Sequence, residues 1–148
     1  MPTHPSHRPW SLYLLQLGLV FQGLSGLWGG GALVWAPSGQ LLNMPLTLLE
    51  GSPFSSYFLP GLLLLTILGI APLLVALAVW VRFPGAWYGA LAVSCALLVW
   101  IGVQVWMVGY HADPPLQLVY GILGGALLML SLQSGVRNDL TSKQASRS

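Results

Sequence analysis

The residues able to do chemistry are few, and their spacing gathers them toward one end of the chain's apolar runs. Trp100, Gln104, Met107 and His111 follow i, i+4, i+7, i+11, so a helix would carry them on one face. Gln117 and Tyr120 follow a tight, proline-containing turn, which predicts Gln117 at the depth of Gln104. Tyr57 belongs to the same level on the preceding run, with Glu50 and Asp113 at the rim. Glu50, Tyr57, Trp100, Gln104, His111, Gln117 and Tyr120 together suggest a polar pocket with apolar walls. Such a pocket suits a quinone or lipid, whose carbonyls need a few donors and whose tail needs none. An enzyme built here would use His111 as acid or base, with Glu50 orienting it. The plainer reading is that headgroups wet His111 and Gln117, while Trp100 and Met107 pack.

Other chemistries find too little material. Bis-histidine haem needs two histidines at one level, but His4 and His7 lie at the opposite end from His111. Zinc lacks ligands at suitable spacing, so no metal site is expected. The single cysteine, Cys95, excludes an intrachain disulfide and reads as a small apolar residue within a helix. The Gly29–Gly31 run lies inside an apolar segment and follows no strand, so it is no phosphate loop. A serine hydrolase would have to draw Glu50, His111 and Ser52 or Ser55 together from separate segments. No Lys, Arg, Asp or Glu lies deep in an apolar run, which argues against an ion-coupled transporter or proton pump. The five Lys and Arg are scattered singly and make no nucleic-acid footprint.

The elements that must position these residues are membrane helices. The 148-residue chain is 55% hydrophobic and 5% charged, with a mean hydropathy of +0.76, so most of its surface faces lipid. Four apolar runs, at about 10–35, 54–81, 83–110 and 116–136, predict an all-α bundle of four transmembrane helices in a single membrane domain. Arg8, Arg82, Arg137, Lys143 and Arg147 then fall at one end of the helices, Glu50 and Asp113 at the other. The positive-inside rule places both termini in the cytoplasm. The long 37–53 connection, rich in leucine, is expected on the outer surface or folded over the bundle, and the polar tail 137–148 is expected to be disordered.

Local signals fill in the helices. Gly26 and Gly30 on the first, and Gly121 and Gly125 on the fourth, are small residues four apart, the spacing that lets membrane helices approach closely. Gln22 is expected to hydrogen-bond across helices. Ser52 and Pro53 read as an N-cap and first residue of the second helix, with Glu50 at its positive dipole end. Pro60 and Pro72 should kink that helix and free the carbonyls four residues earlier, those of Ser56 and Leu68.

The stretches EGSPFSSYFLPG (50–61), WIGVQVWMVGY (100–110) and PLQLVYGILG (115–124) resemble signature segments of small, uncharacterised bacterial four-helix integral membrane proteins, and the layout is loosely similar to the DoxX-like group. That resemblance implies the bacterial cytoplasmic membrane and an accessory role near quinone-linked redox complexes, and it transfers no catalytic residue. The sequence thus leads to a non-catalytic accessory or scaffold subunit partnered by the lipid bilayer and other membrane proteins. A quinone- or lipid-binding protein with an outer pocket is the alternative.

Overall fold

The computed structural model describes residues 7–145; His4 and Arg147, used above to assign ends, lie outside them. The described residues are helical, with no strand. Helix α1 spans Trp10–Trp35 and α2 spans Phe58–Trp80. Helix α3 spans Ala86–Val108, α4 Leu116–Leu132 and α5 Ser134–Ala145. Three of these, α1 to α3, are long and apolar enough to cross a membrane, and a fourth span results if the bent α4–α5 pair counts as one.

The buried positions of α1 (Leu12, Leu15, Leu19, Gln22, Gly23, Gly26, Gly30 and Leu33) recur every three or four residues and form one stripe. Most of that stripe meets α2. A Cβ on Gly26 would strike the Leu68 carbonyl, and one on Gly30 would strike the backbone at Leu65, so glycine permits backbone-to-backbone approach at both levels. Gly61 and Gly69 answer from α2. Helix α3 packs along α4, while it meets α2 chiefly from Thr66 onward.

Packing is therefore uneven along the helices. The α3 stripe Ala86, Ala90, Val93, Ser94 and Leu97 and the α4 stripe Gly124, Leu127 and Ser131 all lie toward the end that carries Arg8 and Arg82. Between Leu97 and Gly124 no residue is buried. On α4, Gly124 approaches Leu98 and Leu97, Gly121 only reaches Ile101, and Gly125 faces open space. The small-residue contact of α4 is thus one position away from the expected Gly121–Gly125 pair, because the helix turns Gly124 toward α3.

Several boundaries differ from expectation. The second helix begins at Phe58, so Ser52 and Pro53 are not its cap: the Ser52 hydroxyl instead accepts the Phe54 N–H at 3.2 Å in a local turn. Pro60 then falls within the first helical turn, where its missing donor has no carbonyl to serve. Around Pro72, α2 widens into a π turn over Thr66–Ile70, closed by the Ala71 N–H donating to the Thr66 carbonyl. The third helix is shorter than 83–110, bounded by Gly85 and Gly109 at positive φ. The fourth ends at Leu132, and the chain turns by 61° into α5. The tail expected to be disordered is helical through Ala145, because Val136 and Leu140, four apart, are buried against the other helices.

The connection after α1 holds two one-turn 3-10 helices, Gln40–Leu42 and Leu46–Leu49, of which the second touches α3.

Candidate functional site

Interhelical polar contacts along the helices end on main-chain carbonyls. Gln22, 1% exposed, donates from Nε2 to the Leu68 carbonyl at 3.2 Å, the group that Pro72 leaves without its helical donor. Gln16 does the same one level nearer the basic end, to Ala76 O at 2.7 Å. Trp87 Nε1 donates to the Ser131 carbonyl at 2.8 Å and ties α3 to α4. Ser25, Thr66, Ser94 and Ser131 return their hydroxyls to carbonyls of their own helices. The Oε1 atoms of Gln16 and Gln22 are buried without a donor.

The residues expected to form a pocket separate into distinct settings. Tyr57 is 3% exposed, packed with Leu33 and Leu49, and its hydroxyl donates to the Pro45 carbonyl at 2.8 Å. Its own N–H donates to Pro37 O at 2.9 Å, so one residue pins both ends of the connection between α1 and α2. Gly39, at φ 79°, brings the backbone against the Tyr57 ring where a Cβ would collide with it. Burial pushes the Tyr57 phenol above its usual range, because the anion would lose its water. Glu50 is exposed, and its N–H donates to Thr47 O.

Gln117 caps α3. Its Oε1 accepts the His111 N–H at 2.9 Å and its Nε2 donates to the Gly109 carbonyl at 3.1 Å, while His111 Nδ1 lies 3.2 Å from the same carbonyl. No hydrogen bond joins His111 to Glu50, so the two do not form an acid–base pair. Trp100 is half-buried against the core and Tyr120 stacks on Phe21 of α1, with ring centroids 6.3 Å apart. Gln104 is half-buried and has no hydrogen-bond partner among the described residues. The cavity nearest to these residues is a shallow groove of about 330 Å³ lined by Val105, Tyr110, Gln117, Leu118, Gly121 and Ile122, and of the expected liners only Gln117 borders it. Among the described residues no three of His, Cys, Asp and Glu come together to hold a metal.

The opposite end carries a second polar constellation. Arg82 Nη2 lies 3.0 Å from Asp139 Oδ1, both side chains largely buried, which pins α5 to the α2–α3 turn. Arg82 stands at φ 53°, the left-handed position of a Schellman-type C-cap: Phe83 N–H donates to Ala78 O and Arg82 N–H to Val79 O. Arg8 donates from Nη2 to the Trp80 carbonyl at 2.9 Å and lies over the Trp80 ring, while Arg137 lies over Trp87. The sequence signal for this end was the i, i+4 pair Val136 and Leu140, which marks an apolar face on the polar tail.

No protein-family model, curated protein or solved structure matches the chain, so geometry alone carries the functional reading.

Proposed function

We propose that this chain is a small, non-catalytic integral membrane protein, a four-helix bundle with both termini cytoplasmic, that serves as an accessory or scaffold subunit by lateral association. The observation that carries the reading is the run from Leu98 to Leu123. It is predominantly apolar, none of its residues is fully buried, and it presents Val99, Val103, Trp106, Val119 and Ile122 outward. Elsewhere the intramembrane polar groups are largely spent on internal carbonyls, which leaves little with which to perform a reaction. A photo-crosslinking residue at Val103 or Ile122, in native membranes, is expected to trap a discrete second polypeptide, and the same residue at Leu74 on α2 is not. Adducts with lipid alone at Val103 and Ile122 would overturn the reading.

The groove beside Tyr110 and Gln117 favours a second reading, binding of a quinone or lipid, since it is apolar with polar groups at its margin. Organic extraction of gently solubilised protein tests it. A quinone or lipid retained by the wild type and lost in Gln117→Leu supports this reading, and an empty extract overturns it.

A further inference from the structure

The end of the molecule that carries Arg8 and Arg82 has a charge arrangement that the lateral-association reading does not use. Among the described residues Asp139 is the only acidic side chain there, and it is spent on Arg82. Arg8 and Arg137 remain without a carboxylate partner among the described residues. Each lies over a tryptophan, with guanidinium carbons 5.6 Å and 5.4 Å from the ring centroids. Arg8 is fixed further by the carbonyl that ends α2, where a cation also complements the helix dipole. A guanidinium has five donors; among the described residues one of those of Arg8 is used and none of those of Arg137, so both groups have donors to spare for an anion.

Their level along the helices identifies the anion. Trp80 is the last residue of α2 and Trp87 the second of α3, so the charges sit where the apolar helix surface stops. Outward-facing Ile70, Leu74, Leu77 and Val81 run up one side of α2 to that level at i, i+4, i+7, i+11. Beside them an apolar groove of about 260 Å³, lined by Leu74, Val75, Ala78, Phe83 and Gly89 among others, opens at the α2–α3 turn. A phosphate joined to hydrocarbon matches both parts, whereas a soluble anion matches only the first.

We propose that this end binds anionic phospholipid, with a headgroup phosphate at the guanidinium of Arg8 beside Trp80 and another at that of Arg137 beside Trp87, and acyl chains along α2 and the α2–α3 groove. The proposal needs only that these helices lie in a bilayer, so it stands or falls separately from lateral association.

Native mass spectrometry of the full chain in detergent, titrated with phosphatidylglycerol or with phosphatidylcholine of identical acyl chains, tests it. Wild type is expected to retain phosphatidylglycerol in preference. A guanidinium near a phosphate is worth about fivefold in affinity, so an R8Q/R137Q double variant should lose about fivefold at each position for phosphatidylglycerol and keep its weak affinity for phosphatidylcholine. An R8K/R137K variant, which keeps the charge, should lose much less, and this separates headgroup recognition from a folding defect. Equal retention of the two lipids by wild type, or undiminished phosphatidylglycerol binding by R8Q/R137Q, would overturn the proposal. Displacement of phosphatidylglycerol by equimolar glycerol 3-phosphate would overturn it as well, since the acyl chains would then contribute nothing.

Discussion

Gly26 and Gly125 have the same side chain and opposite consequences. Gly26 is where α1 lies against the Leu68 carbonyl, and any Cβ there must drive the helices apart. Gly26→Ala is therefore expected to cost about 1–3 kcal/mol, as overpacking does, while Gly125→Ala, facing open space, should be neutral or slightly favourable. Thermal or denaturant unfolding in micelles compares the two directly. Tyr57 carries a different residue-level prediction. Its phenol is raised above the usual value of 10.0, so its neutral form is favoured by folding. The resulting stability is fully present below about pH 10 and is lost as pH rises through the folded pKa, because the unfolded chain ionises first. Stability should accordingly fall above about pH 10 with the wild type and more shallowly with Tyr57→Phe, which costs about 1 kcal/mol at neutral pH through the lost bond to Pro45.

Among the elements, α5 is held by one ion pair beside the burial of Val136 and Leu140. Asp139→Asn leaves the Arg82 guanidinium with a neutral partner in a largely buried place. A cost of about 1–3 kcal/mol is expected, between the values for exposed and fully buried pairs. Hydrogen exchange should report it as faster exchange along Ser134–Ala145 with little change in α1. Arg82→Gly should cost less than Asp139→Asn, since glycine relieves about 1–2 kcal/mol of left-handed strain while breaking the same pair. The elements also show what the sequence makes legible. Runs of apolar residues give α1 its full extent; Pro72 marks Leu68 O as a freed carbonyl and Gln22 reads as a cross-helix donor, but only the fold pairs the two. The start of α2 was less legible: Ser52–Pro53 is a sound local cap signal, overridden when Tyr57 folds the preceding segment back onto Pro37 and Pro45. The expected pocket drew Gln104, Gln117 and Tyr57 together by depth alone. Depth says nothing of azimuth around a helix, and Tyr57 and Gln117 each satisfy a different stretch of backbone.

For the whole molecule, the proposed four crossings by α1 to α4 would put the α1–α2 connection and α5 on opposite sides of the bilayer. Single cysteines at Ser38 and Ser142, in a Cys95→Ala background, should react with an impermeant maleimide from opposite faces of sealed vesicles, and labelling of both from one face would refute that path. The π turn also decides which lengths of chain can build this molecule. A π turn is a helix holding one residue more than its α-helical path needs, so the flanking halves already accommodate that surplus. Deleting Ile67, exposed within the turn, should convert it to plain α-helix and leave Gly61 and Pro72 facing the same neighbours. Deleting exposed Leu63, four residues earlier, has no surplus to draw on and swings one half of α2 by about 100° against the other. The two shortened chains differ only in where the residue was taken. The first should yield folded, monodisperse protein and the second should not, which makes Thr66–Ile70 the place where α2 can lose a residue without losing the fold.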